Sequence, residues 1–127
     1  MHRGFMLGAA ILGMLAVMIG AFGSHVIKQH IDPTHLDIYE TANRYHFYHT
    51  LALMGVAILY RDIKSKWIQW SGMMFIIGIC IFSISLYLLA ILGDDYKFLG
   101  AITPIGGVSF IAGWTALVVA ILSRKDA

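Results

Sequence analysis

Long uncharged runs alternate with short charged connectors along this chain. Gly4 to Gly23, Ile68 to Leu92 and Phe98 to Leu122 each pass without an Asp, Glu, Lys or Arg. A shorter uncharged run extends from Tyr45 to Tyr60. A helix rises about 1.5 Å per residue, so about 20 apolar residues cover the roughly 30 Å of a bilayer's hydrocarbon core. The pattern therefore predicts an all-α, membrane-spanning four-helix bundle in a single domain over 1–127. Its spans fall at about 4–24, 45–60, 68–92 and 98–122. The basic start Met1-His2-Arg3 and the small Ala21 also suit a cleaved signal peptide. The first run exceeds a signal core of about 7–15 residues and three more follow, so a retained helix is expected.

Within the runs, small residues recur at helical spacing. Ala9, Gly13, Ala16, Gly20 and Gly23 make one stripe, and Gly106, Ser109, Gly113, Ala116 and Ala120 make another. Gly107 adjoins the second. In lipid, small stripes let helix backbones approach closely, and they suit both internal packing and self-association. Thr34 followed by Asp37 resembles a capping box, with Pro33 marking a turn or a first helical turn. The helix begun there should run through an amphipathic segment into the second span. Ile38, Ala42, Tyr45, His49 and Ala52 would trace one face, and Glu40 and Arg44 form an i,i+4 pair. Trp67 and Trp70 suit a membrane edge.

Composition agrees with the pattern. The 127 residues are 59% hydrophobic and only 13% charged, with a mean hydropathy of +0.78. A soluble domain carries about 25% charged residues, so too little polar surface is present to coat a water-soluble globule. The net charge of +2 is dispersed, with no basic stripe, which excludes nucleic acid as an expected partner. The single cysteine, Cys80, excludes an intrachain disulfide and reads as a buried thiol. Arg3, Arg61, Lys64, Lys66, Arg124 and Lys125 fall on one side of four spans, and Lys28, Arg44 and Lys97 on the other. That imbalance predicts that both termini are cytoplasmic and that the second helix is extended outward.

This orientation brings four motifs to the outer half: Gly20 to His25, Tyr45 to His49, Ser83 to Tyr87 and Thr103 to Gly107. A pocket framed by His25, His46, His49, Ser83, Tyr87 and Thr103 is the candidate site. Gly13, Gly20, Gly23, Gly106, Gly107 and Gly113 are the candidate helix contacts. Neutral imidazoles can ligate a metal or haem. No Asp or Glu lies within the spans to complete such a site, and histidines fastening helices through hydrogen bonds are the alternative. Pro104 frees carbonyls in the preceding turn, for which Thr103 is a cap or a partner. No GxSxG, HExxH or phosphate-binding loop is present, so no catalytic residue, no resident metal and no cofactor is expected.

The motifs Gly20-Ala21-Phe22-Gly23-Ser24-His25, Tyr45-His46 with Tyr48-His49, Phe82-Ser83-x-Ser85-Leu86-Tyr87, Thr103-Pro104-Ile105-Gly106-Gly107 and Gly113-Trp114 share their order with a known family. Together they resemble the small bacterial membrane proteins called domain of unknown function 423, similar to eukaryotic transmembrane protein 256. Ser24 stands where that pattern has Ala, and Ile84 where it has Gly. The resemblance implies a four-helix plasma-membrane protein and no activity. The expected function is a non-enzymatic accessory or lipid- or small-amphiphile-binding membrane protein. Its expected partners are membrane lipids, a second copy or another membrane protein. A haem-, metal- or small-solute-carrying protein is the alternative.

Overall fold

The structure, a computed structural model, describes residues 1–124. Lys125, counted above on the cytoplasmic side, lies outside the described residues. The described chain is helical from end to end. Helix α1 covers Arg3–His25, α2 covers Pro33–Leu59, α3 covers Lys66–Gly78, α4 covers Ile84–Leu92 and α5 covers Phe98–Leu122. A π-helical turn, Ile79–Ser83, joins α3 to α4 without a break, so the five helices make four rods. Short 3-10 turns, Ile27–Gln29 and Asp94–Tyr96, sit in two of the connectors. Gly93 ends the third rod at φ 87°, a conformation open to glycine.

Helices α1 and α2 begin where a side chain takes up free N–H groups. The imidazole of His2 accepts from Phe5 N at 3.0 Å and caps α1. The backbone N–H of His2 donates to the Ala57 carbonyl at 2.8 Å, tying the start of α1 to the end of α2. Asp32, rather than Thr34, caps α2. Its carboxylate accepts from His35 N at 2.8 Å, and Pro33 takes the first helical position, where a missing N–H costs nothing.

Three rods are long and apolar enough to cross a membrane: Arg3–Gln29, Lys66–Leu92 and Phe98–Leu122. Helix α2 does not meet that criterion. Its uncharged part from Tyr45 covers only about 24 Å, and its first turns carry Asp37, Glu40 and Arg44. Packing accounts for this. Helix α2 lies at the centre, with α1 along one side and the third rod along the other, while α5 packs on the third rod. Tyr39, Ala42, His46, His49, Thr50, Leu53, Val56 and Ala57 of α2 are all buried. The most polar rod is thus sheltered by the three apolar ones. Its buried face includes Tyr39 and His46, and Tyr45, expected on that face, is 38% exposed.

Both small stripes are used inside the chain. On α1, Ala9, Ala16 and Gly23 are buried, and Gly20 and Gly23 meet Asn43 and Tyr39 of α2. On α5, Gly106 lies directly on the Phe82 backbone in the π-helical turn, and Gly113 takes the Phe75 ring. Gly13 and Gly107 are looser: a Cβ added there would stand 3.6 and 4.0 Å from its nearest neighbour. Gly72 and Gly78, outside either stripe, receive the rings of Phe5 and Phe110. Two hydroxyls lock α3 to α5: Ser71 donates to the Gly113 carbonyl at 2.8 Å and Ser109 to the Met74 carbonyl at 2.7 Å. Cys80, expected to be buried, is exposed on the outside of the third rod.

Candidate functional site

The candidate residues separate into a fastened core, a second hydroxyl pair and an outlier. In the core, Asn43 Nδ2 donates to the Ala16 carbonyl and to the Tyr87 hydroxyl, both at 3.0 Å. Tyr87 Oη lies 3.0 Å from His46 Nδ1. The hydroxyl already accepts from Asn43, so its own proton goes to His46 Nδ1, which leaves the His46 proton on Nε2. That Nε2 is buried without a hydrogen bond of standard geometry. It does interact with the Leu12 backbone, a contact weaker than a full bond. Ser83, fully buried, donates to the Ala42 carbonyl at 2.9 Å, and Tyr39 donates to the Ile19 carbonyl at 2.6 Å. These bonds connect α1, α2 and α4 through side chains that would each cost several kcal/mol if buried unpaired.

One helical turn further along α2, His49 sits in an aromatic box. Its ring stacks on Phe110 with centroids 3.5 Å apart and planes at 9°. Phe75 and Trp114 approach at 5.6 and 5.9 Å. Its two nitrogens are both engaged. Nδ1 lies 2.8 Å from the Tyr45 carbonyl and Nε2 receives the Trp114 indole N–H at 3.1 Å. A carbonyl only accepts and an indole N–H only donates, so the proton is on Nδ1. His46 and His49 are therefore neutral and held in opposite tautomers. Ligating a metal would require His49 to give up one of these bonds. Among the described residues, no group of three His, Cys, Asp or Glu side chains is placed to hold a metal ion.

Thr103 belongs to a different contact. Its hydroxyl donates to the Leu99 carbonyl, one of the groups in the turn before Pro104, at 3.1 Å, and lies 2.7 Å from Ser85 Oγ. This pair holds α4 to α5. His25 is exposed at the end of α1 and joins neither set. The structure thus brings His46, Ser83 and Tyr87 together, places His49 one turn away, and leaves Thr103 and His25 apart.

Open space lies beside the core. A groove of about 200 Å³ separates the end of α1, at Gly20, Gly23 and Ser24, from the first turns of α2, at Tyr39, Glu40, Asn43 and Arg44. Glu40 and Arg44 are both exposed and do not pair. Arg44 donates instead to Thr41 Oγ1 at 3.0 Å. Nearby, His35 bridges two connectors, with Nδ1 2.7 Å from Asp32 and Nε2 3.2 Å from Asp94. The hydrogen bond that the His35 imidazole donates to Asp32 raises the His35 pKa above its ordinary 6.5, and the bonds from the His35 backbone and side chain lower Asp32 below 3.8.

The model of the family described as "Protein of unknown function (DUF423)" matches residues 19–107. The chain belongs to this family. It is similar to the UPF0382 inner membrane protein YgdD of Escherichia coli (strain K12), with 36% identity over 97% of this chain and 92% of that protein. It is 41% identical to a UPF0382 membrane protein of Staphylococcus epidermidis over 93% of this chain and 94% of that one. With the UPF0382 membrane protein SSP2132 of Staphylococcus saprophyticus the identity is 40%, covering 91% and 93%. No solved structure matches.

The part of this DUF423 protein that the family model covers takes in the groove, His46, His49, Ser83 and Tyr87, while Phe110 and Trp114 beside His49 lie beyond it. Four residues central to the groove and the histidine core lie outside the six singled out from the sequence: Asn43, Phe75, Phe110 and Trp114. Asn43 had a signal, as an uncharged amide at the edge of a span. Phe110 and Trp114 had a weaker one, since residues four apart share a helix face. Nothing local to Phe75 shows that it meets α2 and α5.

Proposed function

We propose that the protein is a multi-pass integral membrane protein of the bacterial plasma membrane. It has four crossings and cytoplasmic termini, and it works without catalysis by holding a lipid or small amphiphile. The site is the groove between α1 and the first turns of α2, which takes the place of the histidine-framed pocket expected from the sequence. The observation that carries this reading is the groove's position and lining. It lies at the end of an apolar rod, where a bilayer's hydrocarbon gives way to headgroups. It pairs a glycine floor with an amide and two charges. Polar groups at such a level suit an amphiphile whose chains stay in the bilayer. Three rods apolar enough to span and relatives named as inner membrane proteins support the membrane assignment. In a sheltered α2, the second crossing needs less apolar surface than a lone helix would.

Native mass spectrometry after gentle extraction tests the reading. Wild-type protein is expected to carry a bound amphiphile. Ser24→Trp, at an exposed position lining the groove, is expected to lose it without a change in thermal stability. A wild-type protein that retains nothing would refute the proposal. Topology is checked in a Cys80→Ser background by impermeant labelling of cysteines placed at Ser65 and Asp95. Labelling of position 95 alone is expected from outside, and labelling of position 65 contradicts the orientation.

A further inference from the structure

We infer that the groove selects a zwitterionic headgroup bearing a primary ammonium and a phosphate, that of a phosphoethanolamine lipid. This rests on the reading of the groove as an amphiphile site and names its ligand class. Glu40, Asn43 and Arg44 line one wall of the groove. At spacings of three and four residues they lie on one side of α2, about one turn apart. Glu40 and Arg44 carry opposite charges and form no ion pair with each other, so both charges are open to a ligand. Asn43 Nδ2 is fixed by its donations to the Ala16 carbonyl and the Tyr87 hydroxyl. That fixes the amide oxygen on the other side, towards Gly20, where an added Cβ would stand 2.8 Å from it. This oxygen accepts no hydrogen bond among the described residues.

The wall therefore offers the Glu40 carboxylate and, about one turn further along α2, the Asn43 amide oxygen with the Arg44 guanidinium beside it. A primary ammonium has three N–H donors for the carboxylate and the amide oxygen, and a phosphate accepts from guanidinium through charge-assisted bonds. A quaternary ammonium has no N–H to give the Asn43 oxygen. An anionic headgroup without an amine leaves Glu40 facing negative charge. The glycine floor matters because a side chain there would close the space. Ala at Gly20 would meet Asn43, and at Gly23 it would meet the Tyr39 ring. At about 200 Å³ the groove lies below the roughly 300–1,000 Å³ of ordinary small-molecule pockets. It suits a headgroup with its acyl chains left in the bilayer.

The test uses full-length protein in nanodiscs of equimolar phosphatidylethanolamine, phosphatidylcholine and phosphatidylglycerol, with retained lipid read by native mass spectrometry. Wild type is expected to retain phosphatidylethanolamine about tenfold over phosphatidylcholine, the ratio that one charge-assisted contact of about 1.4 kcal/mol supplies. Glu40→Gln should abolish that preference, and Glu40→Lys should turn it towards phosphatidylglycerol. Arg44→Gln should lower retention of all three phospholipids. These side chains are exposed, so the variants are expected to fold as wild type. Free glycerophosphoethanolamine should not displace the lipid, since it lacks the chains that hold it at the bilayer level. Displacement by it would overturn the lipid assignment. Lipid retained without headgroup preference, or a preference unchanged in Glu40→Gln, overturns this inference and leaves the amphiphile reading standing. Retention of no lipid overturns both.

Discussion

Replacing Tyr87 by Phe keeps the ring that packs against Tyr39, with centroids 5.2 Å apart, and removes only the hydroxyl. Two interactions go with it: the one from Asn43 at 3.0 Å and the one to His46 Nδ1 at 3.0 Å. Asn43 keeps its bond to Ala16, so its loss is that of one ordinary bond, between about 0.6 kcal/mol as found inside membranes and about 1 kcal/mol. His46 is 4% exposed, and its Nδ1 is left without a donor. A buried polar atom stranded in this way costs about 1–3 kcal/mol. The expected destabilisation is about 2–3 kcal/mol, read by equilibrium unfolding in mixed micelles. His46→Leu alone strands the Tyr87 proton instead and costs a similar amount. The double variant removes donor and acceptor together, so it should be at least about 1 kcal/mol more stable than the sum of the single variants implies. Additivity within about 0.5 kcal/mol would show that the pair does not fasten the helices, and would refute the reasoning.

Two further outcomes can be measured on the same footing. Gly106→Ala drives a methyl into the Phe82 backbone, which cannot swing aside, and should cost about 1–3 kcal/mol. Gly55→Ala meets nothing within 4 Å and should be neutral or stabilising by up to about 1 kcal/mol. The Asp32–His35–Asp94 bridge should make stability depend on pH. A raised His35 pKa contributes stability that is fully present below about pH 6.5 and fades as pH rises through the folded value. A lowered Asp32 pKa contributes stability present above about pH 3.8 and lost as pH falls through its folded value. Melting temperatures should therefore be highest on the mildly acidic side and decline as pH rises above about 6.5, and His35→Gln should flatten that decline. A flat wild-type profile would contradict it.

The rods were legible because lipid-facing surface must be apolar wherever it occurs, so uncharged runs mark helices without knowledge of their neighbours. Helix α5 spans the residues of its uncharged run, Phe98 to Leu122. The stripes were legible as contacts but not by partner: spacing cannot tell α2 from a second copy of the chain. The π-helical turn at Ile79–Ser83 was hidden, because its sequence, Ile-Cys-Ile-Phe-Ser, differs in no local way from ordinary helix. That turn presents Phe82 to Gly106, places Ser83 under α2 and sets Ser85 beside Thr103, so the grouping of the candidate residues depended on it. The expected Glu40–Arg44 pair rested on spacing alone. It gives way to a contact between Arg44 and Thr41, a shorter reach that leaves both charges beside the groove. His25 was placed with the core by membrane level alone, and level does not specify which side of a helix a residue occupies.

The account holds at its centre that His46 and His49 are neutral fasteners between helices, and that ligand chemistry lies in the neighbouring groove. Nitrogen-15 NMR of imidazole-labelled protein in micelles tests this most directly. It should report the Nδ1–H tautomer for His49, the Nε2–H tautomer for His46, and no change in either on adding zinc. Reversed tautomers, or resonances that move with zinc, would contradict it.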